Sequence, residues 1–319
     1  MFRLRFTSAL LGATALLGAG AATGQAYPSK PLRIMSPSAG GAADLTVRLI
    51  GSGMSSSFGQ QVIIENRPTT LSIDLTAKAA PDGYTVLAYG SPLWLSQFMR
   101  KNQGFNYERD FRPVIHATNA LFFLFIHPSL PVKTVKELVA LAKKRPGELN
   151  YSSAASGATT HLAAELFKAK TGVNIVRVAY KGGSGAITAL LTGEVQIAFG
   201  TISTGMPLVK SGRLRVLAVA ALKPSSLAPE VPTLAASGVP DFETNLITGI
   251  FAPTGTPPAI IERLNQEIGR AMNRDDIKEK LAAAGLESVG GPPDRLVAAA
   301  KAEIATLGKL IVDLGIRDD

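Results

Sequence analysis

Short runs of β-branched and apolar residues alternate with helix-periodic segments along almost the whole of this sequence, and that alternation leaves few folds open. Strand-like runs lie at Leu32 to Met35, Gln61 to Glu65, Thr85 to Tyr89, Leu121 to Ile126, Asn174 to Ala179, Val195 to Phe199, Leu214 to Val219 and Ile247 to Ala252. Strands separated by helices need crossover connections, so the pattern predicts a largely parallel sheet covered by helices, an α/β class. The helices carry their own start signals. Thr134 with Glu137 makes a capping box before Leu138, Val139 and Leu141, and Thr256-Pro257 opens a helix with Ile260, Ile261, Leu264 and Ile268 as its buried stripe. Leu45, Leu49 and Met54 share a face of the first helix, and Pro292-Pro293 begins the last. His116-Ala117-Thr118-Asn119 reads as a polar break between two strand-like runs.

No polar hinge divides the chain, which suits two domains joined twice by strands better than beads on a string. The boundaries are expected near 126 and 245, so that 27–126 and 245–319 form one lobe and 127–244 the other. Ahead of them, Arg3 and Arg5 precede an uncharged small-and-apolar run from Ala9 to Ala22, and Thr23-Gly24-Gln25-Ala26 ends it with small residues. A buried helix would carry a polar face; this run reads as a secretory signal peptide cleaved after Ala26. No later segment is apolar for long enough to span a bilayer.

The chain has no Cys, which excludes disulfides, thiol catalysis, metal-thiolate sites and a lipidated N-terminal Cys. Its formal charge of +9 falls to +7 without Arg3 and Arg5, an excess able to steer an anionic solute. No basic run with interleaved aromatics is present, so nucleic-acid binding is not expected. The three His residues, His116, His127 and His161, show no metal-ligand spacing, and no cofactor motif is present.

The chemistry gathers at turns between strands and helices. Ser36-Pro37-Ser38-Ala39-Gly40-Gly41-Ala42-Ala43-Asp44 follows the first strand; its small residues let a ligand approach backbone N–H groups at a helix start, where the dipole favours an anion. The same stretch also fits a tight structural turn, with Asp44 stabilising the first helical turn. Ser153-Ala154-Ala155-Ser156-Gly157-Ala158-Thr159-Thr160-His161 repeats the design, with Ser156, Thr159 and Thr160 able to donate to a carboxylate or to cap the helix. A third such segment is Tyr180-Lys181-Gly182-Gly183-Ser184-Gly185, where Lys181 could balance an anion or simply be solvated. An exported α/β hydrolase using Ser156 or Ser91 is the competing reading, although Ser156 and His161 need not face each other and no G-x-S-x-G elbow is present.

Taken in order, Tyr27-Pro28-Ser29-Lys30-Pro31, Gly40-Gly41-Ala42-Ala43-Asp44, Glu65-Asn66-Arg67-Pro68 and Ala79-Ala80-Pro81-Asp82-Gly83-Tyr84-Thr85 resemble the Bug family of solute receptors of tripartite tricarboxylate transporters. Asn150-Tyr151-Ser152-Ser153, His161-Leu162-Ala163, Tyr180-Lys181-Gly182, Val231-Pro232-Thr233 and Phe251-Ala252-Pro253-Thr254-Gly255-Thr256-Pro257 continue the likeness to the end. The resemblance implies a two-lobed periplasmic-binding-protein fold, monomeric, soluble and periplasmic, that closes on a small carboxylate and docks on a membrane permease without catalysis. It implies a ligand site at Ser36, Ser38, Ala39, Gly40, Gly41, Ala42 and Asp44 on one lobe and at Ser156, Gly157, Thr159, Thr160 and His161 on the other, with Ser91 and Gly200 beside them. A receptor of the same fold serving a sensor kinase stays open as a role. Three departures from the family pattern bear on specificity. Ser36-Pro37 replaces the usual Pro and aromatic residue, Thr69 to Asp74 stands where a longer Gly-rich loop is usual, and Gly200 stands where an Asp is frequent. Loss of that Asp predicts a mono- or dicarboxylate or an aromatic acid as ligand, in preference to an amino acid.

Overall fold

The computed structural model describes residues 27–317 apart from 37, 38 and 40; the signal-peptide segment, Pro37, Ser38 and Gly40 lie outside the described residues. The first part of the chain runs through β1 (Leu32–Ser36), α1 (Ala42–Phe58), β2 (Val62–Asn66), α2 (Thr69–Ala77), β3 (Thr85–Tyr89), α3 (Pro92–Met99), α4 (Tyr107–Asp110), β4 (Phe111–Ile126), α5 (Val135–Lys144) and β5 (Asn150–Ser153). There follow α6 (Thr159–Thr171), β6 (Val176–Ala179), α7 (Gly183–Thr192), β7 (Ile197–Thr201), α8 (Ile202–Lys210), β8 (Arg215–Val219) and β9 (Asn245–Pro253). The chain closes with α9 (Pro258–Met272), α10 (Asp275–Ala283), β10 (Glu287–Ser288), α11 (Pro293–Glu303), a π-helical turn (Ile304–Gly308) and α12 (Lys309–Asp313).

β2, β1 and β3 are parallel, as are β6, β5 and β7, and the two groups are joined through the antiparallel strands β9 and β4. The α/β class and the two-lobed architecture follow directly. β4 is the strand that links the lobes. From Phe111 to Leu121 it pairs with β9; from Phe122 to Ile126 it pairs with β7 on one edge, and from Phe123 to Ile126 with β8 on the other. The chain returns at Asn245, which sits opposite Leu121. We therefore read the passage between lobes at 121–122 and 244–245.

The expected break at His116 to Asn119 is not a break: those residues lie inside the 16-residue strand β4. Register shifts between Pro113 and Ile115 and between His116 and Thr118 absorb the proline and the polar run, since a bulge lets a residue leave the ladder without ending the strand. Thr69 to Asp74 is likewise no loop. It begins α2 at once after Pro68, with Ile73 buried against the sheet. The capping box at Thr134 is half formed: Thr134 Oγ1 accepts from the Glu137 N–H at 3.1 Å, while Glu137 Oε2 takes the N–H of Lys133 at 2.6 Å.

Three apolar clusters hold the fold. One covers the first lobe around Ile34, Val47, Val86 and Leu264, and one covers the second around Phe123, Phe125 and Leu190. The third runs through both, from Trp94 and Phe251 to Tyr151, Phe167 and Phe199, and reaches Leu307 and Ile311 near the C-terminus. Burial of this shared cluster ties the lobes together. Among the described residues no helix is long and apolar enough to cross a membrane.

Candidate ligand cleft

Registers decide where the strand ends point. Tyr89 at the end of β3 pairs with Gly249, close to the Asn245 crossing, and Thr201 at the end of β7 pairs with Phe122, at the other crossing. Because β1 and β3 are parallel, and β5, β6 and β7 are parallel, the strand-to-helix turns of both lobes face the crossing strands. Open α/β sheets bind ligands at such carboxyl ends.

On the second lobe these turns enclose a cavity of about 280 Å³. Thr159 and Thr160 open α6 on it, Gly183 and Ser184 open α7, and Gly200, Thr201 and Thr204 bring the end of β7 and the start of α8. Phe122, Ile187, Phe199 and Leu246 form its apolar wall. None of the three helices has a side chain capping its N-terminus; Ala158, Gly182 and Thr201 occupy the cap positions in extended conformation. The first-turn N–H groups are thus left for a ligand, and three helix starts add their positive ends. Among the described residues no acidic or basic side chain lines this cavity.

Each turn is braced from behind. Arg177 donates from Nε to Ser153 Oγ at 2.8 Å and from Nη2 to the Ala154 carbonyl at 2.9 Å, and Thr160 Oγ1 accepts from the Ala154 N–H at 3.1 Å. Below them Tyr151 donates to Glu165, which also takes Lys168 Nζ at 2.8 Å. On the first lobe, Asn66 Nδ2 donates to Asp44 Oδ1 at 2.9 Å, Arg48 Nε to Asp44 Oδ2 at 2.9 Å, and the Arg67 N–H to the Ser36 carbonyl at 3.3 Å. The Glu65-Asn66-Arg67-Pro68 segment therefore works as a clamp on the β1–α1 turn.

The structure separates the residues named from the sequence into three groups. Thr159, Thr160 and Gly200 share the cavity. Ala39 and Gly41 are exposed at the opposing turn, Ala42 is part-buried beside them, and Ser36 and Asp44 are buried behind, Asp44 engaged by Arg48 and Asn66. Ser156, Gly157, His161 and Ser91 do not line the cavity. His161 Nδ1 accepts the Gly157 N–H at 3.2 Å and Nε2 stands 4.0 Å from Glu165. Burial, then the nearby Arg177 charge, pushes the imidazole down to about 4, so it is neutral and an acceptor. It braces the turn and does not serve Ser156. Ser91 is fully buried at the start of α3, beside Glu303.

Sequence reasoning missed Thr201, Thr204, Phe122 and Leu246. Ile202 to Lys210 carries Pro207 inside the helix, which hides its periodicity, and Leu246 and Phe122 reach the cavity only because they flank the two crossings.

Gly157 makes the sharpest contact between the lobes. Its φ is 73°, and a Cβ there would sit 2.2 Å from Met99 Sδ on α3. Gly157→Ala is expected to lose about 1–2 kcal/mol from the left-handed backbone alone. Met99 is buried, so Met99→Ala has its own cavity cost, but against that background the clash is gone and Gly157→Ala should cost only the backbone loss. Urea midpoints of the wild type, the two single variants and the double variant separate the terms; the same cost of Gly157→Ala in both backgrounds would contradict the contact.

A family model described as the tripartite tricarboxylate transporter family receptor matches residues 46–316. The chain belongs to that family. The UPF0065 protein of the tcbD–tcbE intergenic region of Pseudomonas sp. strain P51 is 36% identical over 293 residues, 90% of this chain and 87% of that protein. Protein BugT of Bordetella pertussis is 33% identical, covering 84% of each chain. Among solved structures, an R. palustris protein with adipate superposes with a TM-score of 0.78 at 33% identity, covering 91% of this chain and 99% of that one. MatC from Rhodopseudomonas palustris with bound malate gives a TM-score of 0.73 at 26% identity, covering 89% and 100%. The family resemblance read from the sequence and its two-lobed fold are both shown. The family is one of extracytoplasmic solute receptors.

Proposed function

We propose that this receptor captures a small carboxylate between the Ser36–Asp44 turn and the second-lobe cavity, and hands it to the permease of a tripartite tricarboxylate transporter. The observation that carries the reading is the convergence of three N-termini without side-chain caps on one cavity that has no basic side chain. A carboxylate satisfies those N–H groups and the dipoles without needing a counter-ion. The Thr and Ser hydroxyls beside them complete its hydrogen bonds, and Phe122, Phe199, Ile187 and Leu246 suit an apolar body. Adipate and malate in the two relatives are carboxylates of this class.

An amino-acid ligand fits less well. Its ammonium would find no carboxylate in the second-lobe cavity, and Asp44 is held by Arg48 and Asn66. A hydrolase reading has less support, because His161 Nδ1 accepts from the Gly157 N–H and Ser91 is buried beside Glu303.

Calorimetry with adipate, malate, adipamide and glutamate tests the proposal on the processed chain. Saturable 1:1 binding of at least one dicarboxylate, with adipamide inert and glutamate weaker, is the expected result. Binding of adipamide as tight as adipate, or conversion of any of these compounds, would overturn it.

A further inference from the structure

Arg177 stands behind the wall of the solute cavity. It lies in β6 opposite Tyr151, and residues paired across two strands share a face, so its side chain runs along the α6 side of the sheet. There it is part-buried, and its guanidinium reaches the β5–α6 turn, with Nη2 2.9 Å from the Ala154 carbonyl and Nε 2.8 Å from Ser153 Oγ. Ser153 Oγ donates in turn to the same carbonyl at 3.1 Å. Ala154 itself lines the cavity, so a single residue separates the guanidinium from the solute space.

Both bonds of this arginine go to neutral oxygens. Among the described residues it makes no ion pair, although a charge drawn away from bulk water ordinarily finds an opposite one. The neighbouring acid is already engaged: Glu165 accepts from Tyr151 and takes Lys168 Nζ at 2.8 Å. His161 adds no charge, since burial first and then Arg177 hold its imidazole down to about 4. Glu165 and Lys168 cancel, and the group behind the turn is left with one uncompensated positive charge. Its field is felt at His161, in the first turn of the helix that Thr159 and Thr160 open on the cavity.

We infer that Arg177 strengthens capture of the solute carboxylate by this uncompensated charge, acting from behind Ala154 without touching the solute. The inference rests on the solute reading above and deepens it. Helix starts and hydroxyls supply the hydrogen bonds, and Arg177 adds an attraction that distinguishes an anion from a neutral molecule of the same shape. A binding anion brings the opposite charge that the guanidinium lacks within the protein. Arg177 is therefore a positioning residue with an electrostatic part, and the two parts separate by substitution. Arg177→Gln keeps a donor for Ala154 and removes the charge; Arg177→Lys keeps the charge and gives up the planar fork. Lys170→Gln removes a unit charge from the exposed end of α6 and serves as the control for net charge.

The test titrates adipate and malate calorimetrically into the processed chain and these three variants at matched ionic strength, and follows the His161 ring by NMR in an acid titration. Expected is roughly tenfold weaker dicarboxylate binding in Arg177→Gln, with Arg177→Lys and Lys170→Gln within about threefold of the wild type. His161 should titrate higher in Arg177→Gln than in the other three proteins. A purely structural brace would suffer alike from both Arg177 variants, so equal losses in the two overturn the inference. Wild-type affinity in Arg177→Gln, or an unmoved His161, overturns it as well. Loss of binding in a folded Arg177→Lys does the same even where Arg177→Gln is unstable. If the wild type binds neither dicarboxylate, the solute reading falls and the inference with it; an inference that fails alone leaves wild-type binding intact.

Discussion

Gly90→Ala is expected to cost this receptor about 3 kcal/mol or more, one of the largest losses a single methyl group can cause in it. Gly90 follows β3 at the point where the chain turns into α3. A Cβ there would lie 1.9 Å from the Ile247 carbonyl oxygen and 3.1 Å from its carbon. The obstacle is backbone, in the strand that returns from one lobe to the other, and it cannot rotate away as a side chain would. Either β3 and β9 separate, with loss of their ladder from Leu87 to Tyr89, or the crossing itself shifts. The thermal midpoint should fall by about 6–12 °C, taking about 2–4 °C per kcal/mol for a chain of this size. Gly182→Ala is the matched control, since a Cβ there meets nothing within 4 Å and the backbone is extended. Midpoints within about 2 °C of each other for the two variants, less than a 1 kcal/mol difference would produce, would sink the prediction. That outcome would also leave no steric reason for a glycine after β3.

What the sequence makes legible is local. Strand and helix periods locate eight of the ten strands to within two residues at most ends, because each depends on the pattern of a few consecutive side chains. The long strand β4 is legible only in its second half, from Leu121 to Ile126. Its first half carries Arg112, Pro113 and His116, and only the pairing with β9, more than a hundred residues later, shows that bulges accommodate them. The cleft is legible to the same degree. Thr159, Thr160 and Gly200 stand at strand ends and can be picked from small residues before a helix; Phe122 and Leu246 cannot, since their place in the wall depends on a crossing formed by distant segments. His161 illustrates the converse limit. A His after a Ser- and Thr-rich turn looks like a ligand contact, yet its ring turns back to hold the Gly157 N–H. A second cavity, lined by Glu303, Asn245 and His116, has no signature at all. These residues are far apart in sequence and meet only through the return of α11 onto the crossing strands.

Glu303→Gln should make the receptor more stable at pH 8 and leave it nearly unchanged at pH 4.5. Burial pushes the Glu303 carboxyl up to about 7; hydrogen bonding by Ser91 and Trp94 holds it lower than burial alone would, and the Glu243 charge raises it again. In the unfolded chain the same group ionises near pH ~4.3. The folded state therefore holds the proton more tightly. Stability from this group is complete below about pH 4.3 and is lost as the pH rises to about 7, for a total of roughly 4 kcal/mol at 1.36 kcal/mol per pH unit. The amide carries no such cost and still accepts from Trp94 Nε1. His161 acts in the opposite sense. Its folded value is near 4, so its contribution is complete above about pH 6.5 and is lost as the pH falls towards 4. In the wild type the two groups offset one another between about pH 4.5 and 6.5; in Glu303→Gln only the His161 loss remains, and stability should fall steeply with acid. Urea midpoints of both proteins at pH 8, 6.5 and 4.5 test this, and a constant difference at all three values would show that Glu303 does not keep its proton in the folded state.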